Sequence, residues 1–148
     1  MIYKARRIME IWQGGVLRLR LPIALGREPV GPKRLQGDGR TPEGEYRACT
    51  RNENSKYHRS IGINYPNRAD AVRARAQGVL SEEHYHSIIS ALDAGLRPPW
   101  DTALGGEIMI HGGGISTDWT AGCIALTDED MDLVWEMVPI DTEITIHP

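Results

Sequence analysis

"IMIHGGGISTDWTAGCIAL", residues 108–126, is the stretch on which the reading of this chain turns. An apolar run ends in His111, three glycines follow, and Gly122 directly precedes Cys123. A cysteine acts as a nucleophile through its thiolate, yet a free thiol of pKa about 8.5 is only a few per cent ionised at neutral pH. An imidazole within hydrogen-bond reach shares that proton and then returns it to a departing amine. A strand ending at His111 and a short loop back to Cys123 supply such a pair. The backbone N–H groups of Gly122 and Cys123 are candidate donors to the oxyanion of an acyl-transfer intermediate. The glycines after His111 leave room for a peptide to lie across the thiol. Spacing alone leaves a second reading open, because a free cysteine is most often a small buried hydrophobe. A zinc site needs three or four ligands, and no CxxC or HExxH spacing is present, so neither metal nor cofactor is expected. His84 and His86 stand two apart in a predicted helix and point in different directions, while His147 carries no recognisable signal.

On either side of this stretch the chain reads as mainly β, or α+β, with a few helices packed on the strands. Residues 2–21 are read as a hairpin turning at "QGG"; in "VLRLRL" Leu17, Leu19 and Leu21 share one face and Arg18 and Arg20 the other. From Gly26 to Gly44 the text is loop-like, with five glycines and three prolines. "TPEGEYRAC" starts a strand that Cys49 closes, and "YHRSIGINYPN" is another, ending at a turn. Helices are expected over 68–77 after Asn67, over 82–94 after Ser81, and over about 128–138. In the last, Thr127 and Asp130 form a pair like a capping box, and Met131, Val134, Trp135 and Val138 make the apolar face. "EIMIH" and "TEITIHP" are the remaining strands. A length of 148 residues suits one domain, 1–148, with its own core.

A net charge of −3 offers no long-range field for nucleic acid, although basic residues cluster between Lys33 and Arg59. Two cysteines, Cys49 and Cys123, are too few for a disulfide framework, and both are expected to be reduced. "MIYKARRIMEIWQGG" lacks the apolar core of a secretory signal and nothing resembles a membrane span, so a cytoplasmic bacterial protein without membrane contacts is expected.

The motif "IMIHGGG…TAGCIAL" resembles the signature of the L,D-transpeptidase catalytic-domain (YkuD-like) family. There a strand ends in His-Gly, and Ser/Thr-x-Gly-Cys follows a short segment later. The matching residues here are His111-Gly112 and Thr120-Ala121-Gly122-Cys123-Ile124. "GPKRLQGDGRTPEGEY" and "SKYHRSIGINYPNRAD" resemble one subgroup of that family, so the likeness covers roughly residues 2–147. The resemblance implies a β-sandwich-like catalytic fold and a cysteine acyl-enzyme. Cys123 would attack the carbonyl joining the L-centre of a diamino acid to a terminal D-alanine. His111 would take the thiol proton, and the backbone carbonyl of Gly112 would orient its ring. Two positions depart from the common pattern: Ala121 stands where many members have a second histidine, and Ala125 where an Asn or Arg often follows. His58, or a nearby arginine, is the candidate replacement, and Tyr57, Arg59 and Trp119 are read as lining a substrate groove. Arg40 is read as structural, paired with Asp38 or holding its turn.

The choice among activities rests on location. In a cytoplasm the accessible substrates are soluble muropeptides and the abundant acceptor is water. The expected function is therefore an L,D-carboxypeptidase that trims murein tetrapeptide to tripeptide during peptidoglycan recycling. The alternatives are an L,D-transpeptidase or murein–protein amidase acting on the wall, and, from another class, a non-catalytic muropeptide-binding domain. Oligomeric state is not legible.

Overall fold

Gly14 and Gly15, at φ 58° and 75°, turn the chain between β2 (Ile8–Gln13) and β3 (Val16–Pro22) in a computed structural model that describes residues 1–148. The expected hairpin is thus shorter than 2–21. Ile2–Tyr3 form a separate strand, β1, which pairs antiparallel with β2 on one side and parallel with the last strand on the other. Lys4 is the reason for the break. It is 2% exposed, and its ammonium donates to the carbonyls of Gly31 and Thr41 and to Glu43 Oε1, at 2.7, 2.9 and 2.9 Å. A buried ammonium without such partners would be very costly, so residues 4–7 leave the ladder to place it.

The remaining elements are β4 (Gly44–Ser55), β5 (His58–Ile63), α1 (Arg68–Ala76), α2 (Glu82–Asp93), β6 (Met109–His111), β7 (Ile124–Ala125), α3 (Asp128–Met137) and β8 (Glu143–His147). The strands form one sheet in the order β3-β2-β1-β8-β4-β5-β6-β7. β4 outruns the strand expected to close at Cys49, because its polar end still pairs with β5 and has a second task. Arg51 donates to the carbonyls of Trp135 and Val138 at the end of α3, at 2.8 and 3.0 Å, and lies over the Trp135 ring. Cationic side chains are favoured at a helix C-terminus. Asn67, Ser81 and Thr127 cap the three helices as expected, and each helix ends one residue sooner than read. The reciprocal capping box belongs to Asn67 and Asp70; Thr127 only accepts from the Asp130 N–H. Met131 and Val134 of α3 are fully buried against the sheet, each contributing about 1.5–3 kcal/mol. No helix is long and apolar enough to cross a membrane.

The sheet curls until its two edges meet, giving a half-barrel. Beyond β3, Ala24 exchanges backbone hydrogen bonds with Ala125 of β7 at 3.0 and 2.8 Å. Leu25 O then accepts from the Thr120 N–H and Arg27 N–H donates to Thr120 O. Asp118 fastens the same loop: its carboxylate accepts from the Leu25 N–H at 2.9 Å and from the Arg7 guanidinium at 2.7–3.1 Å.

Behind this seam sits the glycine-rich segment after β3. Asp38, not Arg40, organises it. The Asp38 carboxylate accepts from Lys33 Nζ and from the N–H groups of Arg34, Leu35 and Arg40, at 2.7–3.1 Å. Burial opposes the charged form, yet these four donors outweigh it and hold the Asp38 carboxyl below the usual carboxylate range. Its contribution to stability is therefore complete above the unfolded value of about 3.9 and is lost as pH falls through the lowered folded value. Asp38→Ala is expected to cost about 2–4 kcal/mol in chemical denaturation, since it strands a buried lysine. Asp38→Asn should flatten the acid side of the stability curve; an unchanged curve would contradict the charge argument.

Candidate active site

β6 and β7 run parallel, with Ile110 opposite Ile124 and His111 opposite Ala125. Ile110 and Ile124 are both buried in the core. Alternation therefore turns His111 and Cys123, their respective neighbours, to the other face of the sheet. Their positions are diagonal, two residues apart along adjacent strands, which sets the Cα atoms about 8 Å apart. The twelve-residue separation in sequence becomes side-by-side placement because the loop between them closes on Asp118 and Thr120.

His111 is 4% exposed, and its Nδ1 lies 2.6 Å from the carbonyl oxygen of Gly112. A carbonyl can only accept, so Nδ1 carries the proton and Nε2 of the neutral ring keeps its lone pair. Tyr57 stacks on the imidazole at 4.8 Å and Trp119 meets it edge-on at 5.5 Å. Trp119 is itself fixed by Nε1–H donating to Gly114 O at 3.0 Å. Two of the four residues read as groove walls thus surround the imidazole.

The other two turn away: His58 lies against Gly112, yet its side chain and that of Arg59 reach to α3. His58 Nε2 and Arg59 both reach Asp132 Oδ1 on α3, at 2.7 and 3.1 Å, and Arg59 lies over Trp135. A carboxylate on a neighbouring helix has engaged both groups, and nothing in the local sequence announces it. In the free protein both groups are thus paired with this exposed carboxylate. Ala121 is exposed, whereas Ala125 is fully buried where the sheet edges meet and faces no groove.

The Cys123 thiol rests against backbone. Sγ donates to Glu107 O and accepts from the Met109 N–H, both at 3.4 Å. Burial pushes the thiol above its ordinary value; the Met109 N–H works against this, and the Glu107 charge adds to it. Burial also pushes the His111 imidazole down, with the Gly112 bond opposing. Both shifts favour the neutral thiol and the neutral imidazole over their charged forms in the free protein. Without substrate, alkylation of Cys123 by iodoacetamide should keep rising with pH beyond the ordinary thiol midpoint of about 8.5. A plateau already reached near pH ~7 would reveal a resting thiolate and overturn this. Cys49, which burial pushes up to about 11, contributes little to that signal.

Of the two oxyanion candidates, one is occupied. The Gly122 N–H donates to Thr120 Oγ1 at 3.1 Å, and that hydroxyl donates to Cys123 O at 2.7 Å. The Cys123 N–H has no protein acceptor and is the donor left for an oxyanion. Thr120 was named as the first residue of the Thr-x-Gly-Cys motif, whereas Glu107 and Asp118 were missed; their part is to hold the loop that carries Cys123, and short-range pattern carries no signal for that. One mainly apolar and one mainly polar hollow, of about 350 and 320 Å³, lie along β8 and its neighbours, and neither is lined by Cys123 or His111.

A curled sheet presenting a cysteine and a carbonyl-oriented histidine on parallel strands defines the architecture of a thiol-dependent acyl-transfer domain. The chain belongs to the YkuD family, L,D-transpeptidase catalytic domain, whose profile matches residues 1–146. It is 31% identical over 112 residues to YafK of Escherichia coli (strain K12), a protein only provisionally assigned as an L,D-transpeptidase. That match takes in 74% of this chain and 32% of YafK, so the chain spans about a third of its curated relative. Among solved structures it resembles the helical cell shape determining protein Pgp2 of Campylobacter jejuni, with TM-score 0.65 and 21% identity over 98% of this chain and 45% of that one. It also resembles L,D-transpeptidase 1 of Mycobacterium tuberculosis, with TM-score 0.56 and 11% identity over 99% of this chain and 59% of that one. At these identities the structural likenesses establish the fold.

Proposed function

We propose that this domain is a cysteine-dependent L,D-carboxypeptidase that removes terminal D-alanine from murein tetrapeptides. The observation that carries the reading is the placement of Cys123, directly before β7, beside the strand that ends in His111, with the His111 Nδ1–H held by Gly112 O and Nε2 left as the base. Sγ leaves the Glu107 carbonyl and gives its proton to Nε2. It then attacks the carbonyl between the L-centre of the diamino acid and D-alanine, and the Cys123 N–H donates to the oxyanion. The C–N bond breaks as the imidazolium protonates the departing amine. Water, deprotonated by His111, cleaves the thioester and restores the thiol, so tetrapeptide and water yield tripeptide and D-alanine. Tyr57 and Trp119 offer apolar contact to the peptide beside the imidazole.

Water is favoured as acceptor because it is the abundant nucleophile for a thioester formed on a soluble muropeptide. The runner-up is an L,D-transpeptidase or murein–protein amidase, favoured by the likeness to YafK. Disaccharide-tetrapeptide, free tetrapeptide and intact sacculi, each incubated with the protein and followed by mass, separate these readings. Loss of one D-alanine from the soluble peptides supports the proposal. A dimeric product assigns transpeptidation, and inert substrates throughout would leave a muropeptide-binding domain.

A further inference from the structure

The peptide unit between Gly112 and Gly113 is engaged at both ends. Its carbonyl accepts the His111 Nδ1–H at 2.6 Å, and its N–H donates to Asp128 Oδ1 at 2.9 Å. The same oxygen lies against Gly112, where even a Cβ would collide with it. Asp128 is the first residue of α3, where the helix dipole favours a negative charge. Its place is set by a well-anchored element: Thr127 caps the helix, Met131 and Val134 are buried, and Arg51 holds the far end.

We propose that Asp128 is a positioning residue for His111, acting through the Gly112–Gly113 peptide. A carboxylate on the N–H side of an amide polarises it and makes its carbonyl a stronger acceptor. The stronger acceptor fixes the ring in the tautomer with Nε2 open, and it stabilises the imidazolium that forms when the thiol proton is taken. The site is then a line of thiol, imidazole, peptide and carboxylate, in which the carboxylate works at one remove. The inference rests on His111 being the base, as read above. The groups packed on the ring are Tyr57 and Trp119; the nearest charged groups on the elements that carry them are Lys56, which lies over the Tyr57 ring, and His58 at the start of β5, paired with Asp132 one helical turn beyond Asp128. Asp132 is paired with His58 and Arg59, so it serves as a carboxylate control on the same helix.

The test is an NMR titration of the His111 imidazole in the free protein, with the pH profile of turnover, for wild type, Asp128→Asn and Asp132→Asn. Asp128→Asn should lower the His111 midpoint by about half a pH unit, a modest amount because the carboxylate is exposed and screened. The acid limb of kcat should move down with it, since a less basic ring stays neutral to lower pH. The plateau should fall about 3- to 10-fold with KM unchanged, the mark of support for the reacting group rather than for binding. An unmoved midpoint in Asp128→Asn, or an equal shift in Asp132→Asn, would overturn the proposal. The titration needs no substrate, so absence of D-alanine release by wild type would refute the carboxypeptidase reading while this result still stood or fell alone.

Discussion

Cys123→Ala is expected to abolish D-alanine release, a fall of at least about 10⁴-fold, while the protein keeps its fold. The size follows from the chemistry. Without Sγ there is no thioester, and the residual path is direct attack by a His111-activated water on an unactivated amide. The unchanged fold follows from the geometry. The thiol makes only two 3.4 Å hydrogen bonds, to Glu107 O and from the Met109 N–H, and both are to backbone. Removing one sulfur from this half-buried position, on which no other side chain depends for a hydrogen bond, should alter Tm by no more than a few degrees. Release of D-alanine by Cys123→Ala at a rate near wild type would show that the thioester is not on the path, however well the imidazole is placed.

Gly122→Ala should be nearly as damaging, for a reason of packing. Gly122 has φ 136°, a region that L side chains rarely adopt, and a Cβ there would stand 2.6 Å from the carbonyl oxygen of Arg40. Strain of about 1–3 kcal/mol in the backbone adds to about 1–3 kcal/mol of overpacking. Arg40 cannot retreat freely, because its N–H is tied to Asp38, and Gly26 packs directly behind against Gly39 and the Gly122 Cα. The loop must therefore shift, carrying Cys123 and the Thr120 bond with it. Misplacement of about 1 Å is enough for roughly a 100-fold loss of turnover, and a drop in Tm of about 5–15 °C should accompany it. A Gly122→Ala protein with wild-type Tm and turnover would mean that the glycine-rich segment does not buttress the nucleophile.

These two residues also mark where sequence reading succeeds and where it stops. Cys123, His111 and the glycine before the thiol were legible because acyl transfer demands particular residue types in a short span. The three helices were legible because caps and apolar periodicity are local: Asn67, Ser81 and Thr127 each sit one residue before a helix that forms. Lys4 was not, since nothing nearby in sequence says that Gly31, Thr41 and Glu43 will surround its ammonium. Nor was the long β4, whose polar end is held by partners on β5 and α3 rather than by its own composition.

His58 and Arg59 make the same point from the other side. They lie beside a groove-forming tyrosine in sequence, yet an aspartate 73 and 74 positions away takes both. What the sequence by itself determined is the chemistry available and the local elements that carry it: a thiol, an imidazole, a mainly β chain with three capped helices. What only the tertiary structure decided is which groups are free to act. Curling the sheet onto Ala24–Ala125 buries both alanines and orients the loop that carries Cys123. It also lets Thr120 occupy the Gly122 N–H and brings Asp128 to the peptide behind His111. The reason is physical: residue type is a local property, but hydrogen-bond saturation and desolvation depend on everything that the folded chain places within a few ångströms.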